Sequence, residues 1–217
     1  MGEKLLERLK EEIADELRPV RPLGPFRRRI LPLAGLWLLL AFAVLSVFGL
    51  RIDHQQLGSL GTWVLPAIQG LAVLGVAIYL YWSTIPGSLP PQRAFPGVVA
   101  VALLIHLFAV AGTQHLHLNA PTDPLRAALV CFVFVLLLGL PLLAAFVWLV
   151  HSGLFAWPAR IGLLAGLSGG LAAETAWRLH CPYTNWEHIL ASHTLGALVI
   201  AGAGLVYFVW LERRRRS

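Results

Sequence analysis

Apolar residues occupy most of this chain in runs of about 20, separated by short polar breaks. Six such runs are read as helices: residues 30–50, 62–82, 96–112, 127–150, 159–177 and 193–211. A helix advances about 1.5 Å per residue, so runs of this length cross the hydrocarbon core of a bilayer. The start of the chain follows a different pattern. Leu5, Leu9, Ile13 and Leu17 fall four apart with Leu6 beside them, which is the stripe of an amphipathic helix. Pro19, Pro22 and Pro25 then end that helix and predict an extended connector as far as the first run. Within the runs, Gly162, Gly166 and Gly170 recur at every fourth position. That spacing lets two helices approach closely, either within the chain or across a homodimer. Pro141 falls inside the fourth run and is expected to kink it.

Composition and charge turn these runs into a topology. A hydrophobic share of 58% with 13% charged residues lies outside the range of soluble domains. The first run is too long for the core of a signal sequence and is preceded by 29 residues, so it is read as a retained helix. Basic residues gather on one side of the alternating runs. Lys4, Arg8, Lys10, Arg18, Arg21, Arg27, Arg28 and Arg29 precede the first run, Arg93 and Arg160 sit in the second and fourth connections, and Arg213 to Arg216 follow the last. The opposite side holds Arg51, Arg126 and Arg178. The bias of basic residues toward the cytoplasm then puts both termini there. The expected fold is therefore all-α: an integral membrane bundle of six transmembrane helices with a short N-terminal amphipathic cytoplasmic helix. Residues 1–29 form its head and linker, 30–211 the membrane domain and 212–217 a basic tail. The net charge of +6 is accounted for by topology and by contact with membrane lipid, without direct nucleic-acid binding.

The head itself is acidic. Glu3, Glu7, Glu11, Glu12, Asp15 and Glu16 outnumber Lys4, Arg8 and Lys10 over residues 3–17. A helix lying on a membrane carries the opposite bias. This one suits an apolar groove on a basic protein partner, with Leu5, Leu6, Leu9, Ile13 and Leu17 as anchors and Glu7 and Glu11 as charged neighbours. Docking on the chain's own cytoplasmic loops is the plainer reading.

The chemistry-bearing residues collect at the other side. His180, Cys181, Glu187, His188 and His193 fall within 14 residues ahead of the last run, and Cys131, His106 and Glu174 are brought to the same level by the topology. Thiol and imidazole are ligands for soft and borderline metal ions, and thiols are also the groups that oxidants reach first. Cys181, His180, His188 and His193 are the candidate metal set for a transition-metal ion, Cys131 is a second thiol at their level, and no resident cofactor is assigned. A structural disulfide between the cysteines fits as well, His115 and His117 read as ordinary loop residues, and Glu174 and Arg178 as an i, i+4 pair. An integral membrane metalloenzyme using the outer histidines and Glu187 is the alternative. It lacks an HExxH or other hydrolase spacing, and 188 to 193 is a poor same-face interval in an α-helix, so no residue is assigned a catalytic role.

Pro19-Val20-Arg21-Pro22-Leu23, and His180-Cys181-Pro182 with His188 and His193, resemble the motifs of the NrsF family of bacterial membrane anti-sigma factors. The plan of an acidic head, an Arg/Pro linker and six spans is similar over most of the chain. The resemblance implies that residues 1–17 bind an extracytoplasmic-function sigma factor and withhold it from RNA polymerase. It also implies a bacterial inner-membrane location, and sensing of metal or oxidative stress at Cys131 and Cys181.

Overall fold

The structure is a computed structural model that describes residues 26–85, 93–114, 121–150 and 157–216. The head residues Leu5, Leu6, Glu7, Leu9, Glu11, Ile13 and Leu17, most of the linker, and His115 and His117 lie outside the described residues. Among the described residues every regular element is a helix and none is a strand. Six long helices account for most of them: α1 (Phe26–Phe48), α2 (Leu65–Trp82), α3 (Ala94–Gln114), α4 (Pro124–Val150), α5 (Pro158–Arg178) and α6 (Leu195–Arg216). Two of them have preambles. A short helix His54–Ser59 and a π-helical turn Leu60–Val64 lead into α2, and Trp186–His188 and a π-helical turn Ile189–Thr194 lead into α6. α4 runs on as a helix through Pro141.

Five stretches are long and apolar enough to cross a membrane: Arg28–Phe48, His54–Trp82, Ala94–Gln114, Pro124–Val150 and Trp186–Arg214. α5 is not among them, and its place in the bundle explains why. It packs against each of the other five long helices. From Ile161 to Arg178 nearly every side chain is buried against protein. A helix enclosed this way has no apolar solvent to satisfy, so it can carry Gly, Ser, Thr and a carboxylate. Large apolar side chains such as Leu38, Phe42, Leu104, Leu137 and Val206 instead stand exposed along the outside of the surrounding helices. An apolar exterior around a more polar centre reverses the order of a water-soluble bundle.

The glycine stripe sets the tightest crossing. A Cβ placed at Gly162, Gly166 or Gly170 would come under 3.0 Å from backbone atoms of Gly204, Ala201 and Ala197 of α6. The stripe is therefore used within the chain, and it presses α5 directly onto the α6 backbone. Gly169, one residue off the stripe, faces Leu143 of α4.

The end of the bundle that carries the cysteines is tied by polar contacts. Gly49 takes a positive φ of 80° to end α1, its N–H donating to Leu45 O at 3.0 Å, and its carbonyl accepts from His180 Nδ1 at 3.1 Å. Arg51 N–H donates to Leu179 O at 3.0 Å. The Arg51 guanidinium grips Asp53 at both oxygens, at 2.6 and 2.8 Å, with both residues buried.

Candidate functional site

Cys131 lies on the second turn of α4, and Cys181 on the extended segment that follows α5. Their sulfurs are 3.7 Å apart, and both are free thiols. His188 Nε2 stands 3.5 Å from Cys181 Sγ. His193 completes the group, its ring 5.6 Å from that of His188 between centroids and in contact with Cys131. One ligand atom from each of Cys131, Cys181, His188 and His193 lies within 4.8 Å of the others, and all four residues are buried. The hydrogen bond with Cys131, and then burial, hold the Cys181 thiol well above its usual pKa range.

The two histidines share a face because of the π-helical turn. In an α-helix, positions five apart diverge. Between Ile189 and Thr194 the backbone closes i to i+5 hydrogen bonds, as where Leu195 N–H reaches Leu190 O, and this stacks residues five apart. His188 and His193 therefore point together. The expectation that their interval was a poor one assumed α-helical geometry throughout and is corrected here.

Two edges of the group already have tetrahedral lengths, and the widest spacing, up to 4.8 Å, closes by about 1 Å around an ion. Bonds of about 2.3 Å to sulfur and about 2.0 Å to nitrogen put tetrahedral sulfurs ~3.8 Å apart and sulfur and nitrogen ~3.5 Å apart. The observed separations are 3.7 and 3.5 Å. A divalent ion with two thiolates and two neutral imidazoles carries no net charge, which lowers the cost of burying it.

His180 lies elsewhere. Its ring tilts against Trp177 and Phe48, at 5.1 and 5.4 Å between centroids, and its Nδ1–H is committed to Gly49. Cys131 stands in the four-residue group where the sequence grouping had His180. Glu187 is exposed, while the adjacent His188 is buried. Trp177 stacks on Phe134 at 4.2 Å and, with Phe48, lines a cavity of about 450 Å³ that runs past Asp123, Arg126 and Tyr183 to both cysteines.

Beneath the thiols lies a polar cluster around Glu174 of α5, which is fully buried. Arg178 Nε donates to Oε1 at 2.7 Å, so the i, i+4 pair forms. Gln69 of α2 donates to Oε2. His193 Nδ1 and His106 Nδ1 stand 3.6 and 3.7 Å from the two carboxylate oxygens, and His106 Nε2 is 2.9 Å from Thr194 Oγ1. Gln69 escaped the sequence reading: a lone amide in an apolar run carries no local signal of a partner 105 positions away. Its being the one amide within the 62–82 run was the only available clue.

A family model described as negative regulator of sigma F matches residues 13–213. The anti-sigma-F factor NrsF of Caulobacter vibrioides (strain NA1000 / CB15N) is 31% identical over 214 residues, covering 92% of this chain and 94% of that protein. No solved structure matches.

Proposed function

Because this chain belongs to the NrsF family of negative regulators of sigma F, we propose that it is a membrane anti-sigma factor whose thiol and imidazole centre receives the signal. In this reading residues 1–29 form the cytoplasmic head. The helix of Leu5, Leu6, Leu9, Ile13 and Leu17, with Glu7 and Glu11, holds a sigma factor of the extracytoplasmic-function class. The acidic head complements the basic surface with which a sigma factor meets promoter DNA. Residues 30–211 cross the bacterial inner membrane six times, residues 212–217 form a basic cytoplasmic tail, and both termini face the cytoplasm. α5 crosses inside the ring of the other helices, which is how a sixth helix of low hydropathy fits among five apolar ones.

The observation that carries the sensing role is the convergence of Cys131, Cys181, His188 and His193 within 4.8 Å. Two thiols and two imidazoles make a site for a soft or borderline divalent ion, which displaces the thiol protons as it binds. The same thiols can instead close a disulfide, giving two electrons and two protons to an oxidant. A bound ion draws the Cys181 segment, the π-helical turn and α4 together, and a disulfide draws the Cys181 segment onto α4. Release of the sigma factor follows from that shift.

The test uses the full chain, co-expressed with each sigma factor of the extracytoplasmic-function class from the same genome and purified in detergent. The complex should co-purify, lose the sigma factor when residues 1–25 are deleted, and release it on addition of Cd²⁺ or Zn²⁺. Failure of the full chain to retain a sigma factor overturns the anti-sigma reading. Retention that is indifferent to both metal and oxidant overturns the sensing role.

A further inference from the structure

We propose that Glu174 is a positioning residue for the thiol and imidazole centre, holding His193 with Nδ1 protonated and Nε2 turned toward Cys131. The inference rests on reading that centre as a receiver of metal ions. The carboxylate is more elaborately placed than an ion pair with Arg178 requires. Arg178 engages Oε1 alone, at 2.7 Å from Nε and 2.5 Å from Nη2. Oε2 is held from a different helix by Gln69, whose amide also reaches Leu171 O at 3.5 Å. Two buried imidazole nitrogens, His193 Nδ1 and His106 Nδ1, then face the same carboxylate at 3.6 and 3.7 Å without a hydrogen-bond partner.

Such nitrogens are rarely left unpaired in a protein interior. At these distances no hydrogen bond is made, yet a movement of less than about 1 Å would make one. His193 has the Glu174 carboxylate 3.6 Å from Nδ1, and one of its ring nitrogens lies within 4.8 Å of the ligand atoms of Cys131, Cys181 and His188. A carboxylate can only accept, so it favours the hydrogen on the nitrogen beside it, and in the neutral ring the other nitrogen is then free to serve as a ligand. Ligation at Nε2 makes the Nδ1–H a better donor and draws it onto Glu174. Imidazole ligands are oriented by a carboxylate in this way in metal centres generally. Arg178 balances the carboxylate charge, so the arrangement adds no net charge to the interior. Gln69 of α2 and His106 of α3 close on the same carboxylate, so closure of His193 onto Glu174 is felt by four helices.

The experiment titrates Co²⁺ into the full chain in detergent and follows the thiolate charge-transfer and ligand-field absorption bands. Wild type should give a tetrahedral spectrum with two thiolates. Glu174→Gln should give the same spectrum with affinity lowered about 10–100-fold. Wild-type affinity in that variant overturns the proposal. A second measurement needs no variant fold: histidine ¹⁵N NMR of the wild-type protein in bilayers, with the His193 signals assigned by their loss in His193→Gln. The Nδ1–H tautomer is expected at His193, and an Nε2–H tautomer overturns the assignment. If wild type binds no Co²⁺, the metal reading of the centre fails by itself, and the tautomer still decides the role of Glu174.

Discussion

Cys131 and His180 show how much depends on where a side chain can point. His180 is next to Cys181 in the chain, yet its ring is turned to Gly49 and the aromatic cluster. Cys131 is 50 positions from Cys181 and faces it at 3.7 Å. The two residues should therefore respond differently to substitution. Cys131→Ser and Cys181→Ser are each expected to reduce stoichiometric Zn²⁺ binding to background, measured by equilibrium dialysis of the detergent-purified chain. His180→Gln should keep one bound Zn²⁺ and cost about 1 kcal/mol of stability through the lost hydrogen bond to Gly49. Loss of the ion in His180→Gln would return His180 to the ligand set. The sequence marked all four converging side chains as chemical candidates, because Cys and His stand out in an apolar chain. It could not exclude His180, whose orientation depends on the turn after α5.

Among the elements, the apolar runs predicted the six long helices with ends shifted by a few residues, since apolar runs of that length are plain in composition alone. The π-helical turns were not legible. A single extra residue in a helix leaves no mark in hydrophobic spacing, and its effect appears only in which side chains come together. The glycine stripe was legible as a close-packing face, and the structure names the partner it packs on. Gly166→Leu should therefore separate α5 from α6, because the new side chain would meet the backbone at Ala201, which has nowhere to retreat. The expected cost is about 3 kcal/mol, seen as a lower midpoint of thermal unfolding in detergent. Gly35→Leu on α1, where a Cβ meets nothing within 4 Å, is the control and should leave the midpoint near that of wild type.

At the scale of the whole molecule, the chemistry sits at one end of the bundle and the arginines of α1 and α6, Arg28, Arg29, Arg213 and Arg214, at the other. α5 joins the two ends, with Glu174 near the thiols and its glycines along the α6 backbone. In the proposed sensing role, a change at the centre bears on the helix that all the other long helices touch.

The enclosure of α5 also bears on how the chain is made. A segment with glycines, a carboxylate and a guanidinium partitions poorly into lipid by itself, so it depends on neighbours already in place or arriving with it. α1 to α4 are synthesised before it, and the stripe it needs is covered by α6, which comes last. A chain stopped at residue 178 and translated with membrane vesicles should leave α5 accessible to a water-soluble cysteine reagent, read at an engineered Ser168→Cys. The full-length chain should protect the same position. His188 and His193 are also made last, on the segment that brings α6 into place. Assembly of the thiol and imidazole group and final packing of the bundle thus both wait for the last segment of the chain, and a half-made chain has neither.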